Sequence, residues 1–146
     1  MVKKLIALLM AVSMAFTTSA VASAKEKPKA NLSNASSGIR PLWSNTNIVT
    51  ATLNFHGEKA VCTSFIQGKN GTTKITATAL LKRVNSNGTT TVKAWTGLKS
   101  SGNTLYFDKS YYVDKGYTYE FEIDANVYRN GKAEYVSESD SDYCGG

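Results

Sequence analysis

One histidine, two cysteines and eleven acidic side chains are the groups with which this chain could hold a metal, attack a bond or move a proton. The histidine, His56, sits in the segment FHGEK, which reads as a turn; a lone turn histidine is ordinarily a solvated side chain. A Ser-His-Asp arrangement through it lacks the G-x-S-x-G nucleophile elbow. Zinc needs clustered Cys and His, and no glycine-rich loop is spaced to cradle a phosphate. Glu120, Glu122 and Asp124 alternate along one segment, and Glu138, Asp140 and Asp142 along another. Such oxygen ligands suit calcium, but alternate residues of a strand lie about 7 Å apart, so a charged solvent-facing stripe is the expectation. A glycosidase needs two carboxylates across a cleft, and nothing in the pattern makes one. The sequence therefore predicts no catalytic residue, no metal site and no cofactor, and a small hydrolase is the least favoured reading.

The cysteines are read through the compartment. The chain opens MVKKLIALLMAVSMAFTTSAVASA, with Lys3 and Lys4 before an apolar run from Leu5 to Phe16 and an Ala22-Ser23-Ala24 cleavage site. This is the layout of a secretory signal peptide over residues 1–24, with Lys25 as the mature N-terminus. The apolar run is short for a membrane span, so the expectation is a secreted, extracellular protein with no integral anchor. Residues 25–40, rich in Ser, Asn and charge, read as a disordered leader to one domain over 41–146. In an oxidising compartment Cys62 and Cys144 are candidates for a disulfide. It would close a loop of about 82 residues, for which chain entropy gives roughly 4–5 kcal/mol. Free or intermolecular thiols are the alternatives.

The full chain carries 17 basic and 11 acidic residues. Losing Lys3 and Lys4 lowers the net charge from +6 to +4, too little to point to nucleic acid in an exported protein. The charge is uneven: residues 33–100 hold 8 basic and 1 acidic side chain, residues 101–146 hold 4 and 9. Cross-strand pairing within a sheet accounts for this; a basic face toward an anionic surface is the sharper alternative.

The elements that must position these groups are strands. Beyond Ala24 the hydrophobic period is two, between Asn/Gly/Ser clusters. Val49, Ala51, Leu53 and Phe55 share a face of NIVTATLNF, and Ile75, Ala77, Ala79 and Leu81 share a face of TTKITATALLKRV. In YTYEFEIDANVY, Tyr117, Tyr119, Phe121, Ile123, Ala125 and Val127 oppose a polar row. Asn70-Gly71, Asn87-Gly88 and Asn130-Gly131 separate strand-like runs and favour tight hairpins. TLYF reads as a short strand followed by the loop DKSYYVDKG. About seven strands in some 100 residues predict an all-β fold, a single antiparallel β-sandwich, with a small barrel as the alternative.

The segment VDKGYTYEFEI resembles the tyrosine-corner pattern of fibronectin type III domains. Val113 stands for the usual Leu, Gly116 for the Gly, Tyr119 for the corner Tyr, and Phe121 and Ile123 for the core pair, while Lys115 replaces Pro and Tyr117 replaces Thr. The resemblance implies an Ig/fibronectin-III-like sandwich in which Gly116 and Tyr119 form a structural corner. Trp43, Tyr111-Tyr112-Val113, Gly116-Tyr117 and VYRNGKAEYVS also make the mature chain similar to small secreted all-β proteins of Gram-positive bacteria, a likeness that implies location and fold without an activity.

Trp95 shares a strand face with Thr91 and Lys93, and Tyr128 lies on the polar face of its strand, so both are candidate exposed aromatics for a sugar or protein surface. Lys74, Lys82 and Lys93 fall on two strands joined by one hairpin and could stand side by side. The leading reading is a secreted or envelope-associated non-catalytic β-sandwich with an interaction role. Its partner would be an anionic cell-envelope polymer, a glycan or a protein. A secreted cationic effector, bacteriocin-like or toxin-like, is the alternative.

Overall fold

The computed structural model describes residues 42–145. The expected signal peptide (1–24) and leader (25–40) lie outside the described residues. Seven strands follow in order: β1 (Thr46–His56), β2 (Lys59–Gly68), β3 (Thr72–Asn85), β4 (Gly88–Ser100), β5 (Thr104–Tyr112), β6 (Tyr117–Arg129) and β7 (Lys132–Cys144). All pairings are antiparallel, in one sheet ordered β1-β2-β5 and another ordered β4-β3-β6-β7. No helix occurs among the described residues.

Both sheets contribute to one core, in a sandwich-like arrangement. Leu53, Ile66, Leu105 and Phe107 come from the three-stranded sheet, and Ile75, Leu81, Phe121, Ile123 and Val127 from the four-stranded one. The expected alternation holds on β6, where Tyr119, Phe121, Ile123, Ala125 and Val127 are buried and the intervening residues are partly exposed. Tyr117, assigned to the same row, is exposed at the strand start, with the Arg83 guanidinium 4.7 Å from its ring centre. At the β6–β7 turn Asn130 and Gly131 both have positive φ, 51° and 74°. That pair of left-handed residues matches the right-handed twist of the flanking strands, as Asn-Gly hairpins do.

Three elements depart from simple alternation. β5 does not stop at Phe107; it continues to Tyr112 because its exposed residues keep pairing with β2, up to Lys59–Tyr112. β7 runs on to Cys144, the last residue of the strand, opposite Tyr117. β4 carries two bulges. Val92 is the extra residue between the Leu81–Lys93 and Lys82–Thr91 pairs, and Thr96 and Gly97 together oppose Thr78. A bulge shifts which side chains face inward, and Val92, Trp95 and Leu98 all pack on the core as a result.

Tyr119 and Gly116 are tied to neighbouring segments at the start of β6. The Tyr119 hydroxyl donates to the Asp114 carbonyl at 2.9 Å, its ring lies 5.9 Å from that of Phe55, and Gly116 N donates to the Cys144 carbonyl at 2.8 Å.

The seam between β1 and β7 is made by carboxylates. Asp140 accepts from Leu53 N of β1 and from its own neighbour Ser141 N, both at 2.9 Å. Glu134 accepts from Ser44 N, from Asn45 N at 2.9 Å and from the Thr46 hydroxyl at 2.8 Å. Asn45 in turn donates to the Val127 and Lys132 carbonyls at 3.0 and 3.1 Å. Asp140 was expected in a solvated stripe; the alternation of β7 instead turns Glu134, Val136 and Asp140 toward β1, whose edge N–H groups need acceptors.

Two outcomes follow. Tyr119→Phe should lower stability by about 1–2 kcal/mol in denaturant melts, because the Asp114 carbonyl loses its donor. Burial pushes the Glu134 carboxyl up, but the bonds from Thr46, Asn45 and Ser44 outweigh it and bring it below the ordinary 4.5. Its stabilisation is therefore complete above that value and lost as pH falls through the lower folded-state value. Glu134→Gln should cost about 1–3 kcal/mol at pH 7 and flatten the acid limb of stability against pH below 4.5.

Candidate functional site

The sites expected from sequence divide between opposite sides of the four-stranded sheet. Lys93 and Trp95 do share a face, but it is the one toward the other sheet. Trp95 is half-buried, with its ring edge-on to Phe107 at 5.3 Å, and Lys93 Nζ lies 5.9 Å from the Trp95 ring and 5.6 Å from that of Tyr111. Lys74, Lys82 and Tyr128 belong to the outer face. Lys74 Nζ sits 4.1 Å above the Tyr128 ring. Lys82 is held between two carboxylates, 2.7 Å from Glu122 and 3.4 Å from Glu120. Lys74 and Lys82 stand eight residues apart on β3, so the three lysines do not gather, and Trp95 and Tyr128 form no common platform. The Lys82 cluster realises the cross-strand pairing expected from the uneven charge.

The expected Cys62–Cys144 bridge is not present; both thiols are free and buried. Cys62 faces the core from the middle of β2, where burial pushes its pKa to about 12. Cys144 points its Sγ at the Gly57 carbonyl in the β1–β2 turn, 3.5 Å away. Its pKa is raised too, by burial first and then by the charge of Glu58. A thiol satisfied at the turn and another committed to the core have separate roles in packing. His56, read as a turn residue, is instead the exposed last residue of β1, paired with Lys59, and no group of three or more metal-ligating side chains occurs among the described residues.

The outer face of the four-stranded sheet holds a feature that alternation alone did not reveal. Thr76, Thr78, Gly97, Leu98, Lys99, Asp124, Asn126 and Tyr135 surround an open depression of about 350 Å³. The β4 bulge creates it. Gly97, at φ 70°, has no side chain and no neighbour where a Cβ would point, so the sheet surface is lowered opposite Thr78. β6 supplies Asp124 and Asn126 from its polar row, and β7 supplies Tyr135, cross-strand from Asn126.

Tyr135 is 63% exposed, yet its hydroxyl donates to Asp124 Oδ1 at 2.5 Å. That bond, with Asp124 as the leading cause, raises the Tyr135 pKa and holds the ring over the sheet. Asp124 keeps its second oxygen available as an acceptor. The Asn126 amide, the Thr76 and Thr78 hydroxyls and the Lys99 ammonium make no hydrogen bond within the described residues. An exposed, oriented aromatic ring surrounded by unspent donors and acceptors can take an apolar ring face and several hydroxyl groups at once. The volume is at the small end of small-molecule sites, roughly 300–1,000 Å³.

Sequence reasoning missed Tyr135, Asp124, Asn126 and Lys99 as a group. Tyr135 alternates with Ala133 and Ser137 on a polar row, which was the available signal; the Gly97 bulge was not legible. Compared with known proteins, the chain matches no family model, no curated protein and no solved structure.

In the native protein at pH 8, alkylation should leave Cys62 and Cys144 unmodified, and denaturant should expose two thiols to mass-tagging. A Cys62–Cys144 cross-link in a non-reducing peptide map, or rapid native labelling of Cys62, contradicts this arrangement.

Proposed function

We propose that the chain is an exported, non-catalytic interaction module of Ig/fibronectin-III-like type that holds a glycan of the cell envelope on the outer face of its four-stranded sheet. The fold type is supported by strand order. Taking β1, β2, β3, β5, β6 and β7 as strands A, B, C, E, F and G reproduces the A-B-E and C-F-G sheets of immunoglobulin-type sandwiches, with β4 beside C rather than a D strand beside E. The Tyr119–Asp114 bond at the start of β6 supports it further, since a tyrosine corner sits at this place in the fold. Export is supported by the arrangement of Lys3, Lys4, the apolar run and Ala22-Ser23-Ala24.

The observation that carries the binding reading is the depression at Tyr135. Toward the other end of the same face polar side chains are spent on one another, in the Lys82–Glu120–Glu122 cluster. At Tyr135 the ring is fixed and its polar neighbours are unspent. Holding a side chain in its binding conformation before contact lowers the entropy cost of association. The pairing of Lys82 and the separation of Lys93 from Lys74 weigh against a cationic effector, which needs a gathered basic face.

Fractionation of the producing cells tests the reading. The protein should stay with the envelope, Tyr135→Ala and Asn126→Ala should shift most of it to the medium, and Lys93→Gln, on the other side of the sheet, should not. Recovery of the unaltered protein only in the medium, or equal retention of the Tyr135→Ala and Lys93→Gln variants, overturns it.

A further inference from the structure

Lys99 closes one side of the Tyr135 depression and also lines a second one, of about 340 Å³, with Thr73, Lys74, Ser100 and Ser101. Lys99 opposes Thr76 across the β3–β4 ladder, and Lys74 is two residues from Thr76 on the same outward row. The two lysines are therefore diagonal neighbours, with backbones roughly 7–8 Å apart. Like charges so placed repel. Lys82, further along β3, has two carboxylates to offset its charge, whereas neither Lys74 nor Lys99 has an ion-pair partner among the described residues. Lys74 is steadied by the Tyr128 ring beneath it, which orients the ammonium without neutralising it.

We propose that the ligand is an acidic sugar. One pyranose ring lies on Tyr135, its hydroxyls reach Asp124, Asn126, Thr76 and Thr78, and a carboxylate or phosphate substituent is held between Lys99 and Lys74. The inference rests on the reading of the Tyr135 depression as the binding surface, and adds the anionic group. Three features converge on it: the shared position of Lys99, an unneutralised lysine pair, and the hydroxyls of Ser100 and Ser101 beside that pair. A neutral glycan would use the first depression and leave the second without a role. A simple polyanion would use the lysines and leave the oriented Tyr135 ring without one. Asp124 and Glu122 on the adjoining strand repel a second anion at the far side, so the substituent has one orientation, toward β4.

The test uses the secreted protein, isotope-labelled, titrated with matched forms of one ring: methyl glucoside, methyl glucuronide and glucose 6-phosphate, with the galacto and manno series run in parallel. Shifts should gather on the backbone amides of Asp124, Asn126, Tyr135 and Lys99. In the ring series that fits, an acidic form should bind roughly threefold to tenfold tighter than the neutral form, the gain of one or two exposed ion pairs. The carboxylate and phosphate arms show which oxyanion is preferred. Added salt and Lys74→Gln, at a residue that lines only the second depression, should each remove that gain and leave the neutral form's affinity unchanged. Equal affinity of neutral and acidic forms, or an unaltered gain in Lys74→Gln, overturns the anionic subsite while leaving the sugar site standing. Inorganic phosphate that shifts Lys74 and Lys99 as strongly as any sugar, with Tyr135 unmoved, overturns it in favour of an ion site. No shift at Tyr135 with any ring overturns the glycan reading itself.

Discussion

The Asp140 carboxylate bonds two sheet edges at once, one oxygen to Leu53 N on β1 and the other to Ser141 N on β7. The rest of the sandwich depends on contacts of this kind. β1 and β7 are edge strands of different sheets and cannot share a backbone ladder, yet Leu53 is almost fully buried and its N–H must find an acceptor. Glu134 does the same at the other end for Ser44, Asn45 and Thr46. Farther along β7, Asp142 accepts from Tyr143 N at 2.8 Å. Acidic side chains thus satisfy edge groups that would otherwise template pairing with another chain. They also fix the alternation of β7: with Glu134, Val136 and Asp140 turned inward, Tyr135 has to face out.

That outward row meets the polar row of β6, and the two use their polar groups differently along the sheet. At one end Glu120 and Glu122 are engaged by Lys82. At the other the Lys74–Tyr128 stack and the Tyr135–Asp124 bond orient side chains without exhausting them. The Gly97 bulge lowers the surface between them. A surface on paired strands is held more rigidly than one on loops.

The strands were legible in the sequence because their core rows keep period two, as in β6, and because Asn-Gly pairs mark the turns. β4 was not. Its two bulges bring Val92, Trp95 and Leu98 inward at intervals of three, which no two-residue period anticipates, and the polar company of Trp95 in sequence, Thr91 and Lys93, points outward although Lys93 itself faces the other sheet. Beyond Phe107 the segment DKSYY has no alternating apolar row and resembles a loop in sequence; its residues are all exposed, and only pairing with β2 makes them a strand. The roles of Asp140 and Glu134 depend on a neighbour some 87 to 90 residues away in sequence, and local pattern carries no such information. The candidate site inherits the same difficulty, since it joins β3, β4, β6 and β7 at a bulge.

Amide hydrogen exchange at Leu53 and Asn45 tests the carboxylate seam most directly. Neither N–H has a backbone acceptor; each is bonded to a side chain of β7. If these carboxylates join the sheets, both amides exchange as slowly as the core amide of Phe121, opening only when the whole domain does, and Asp140→Asn speeds Leu53 selectively. Exchange of Leu53 and Asn45 in the unaltered protein at the rate of the exposed turn at Gly57 would show that the seam is open, and the account would be wrong.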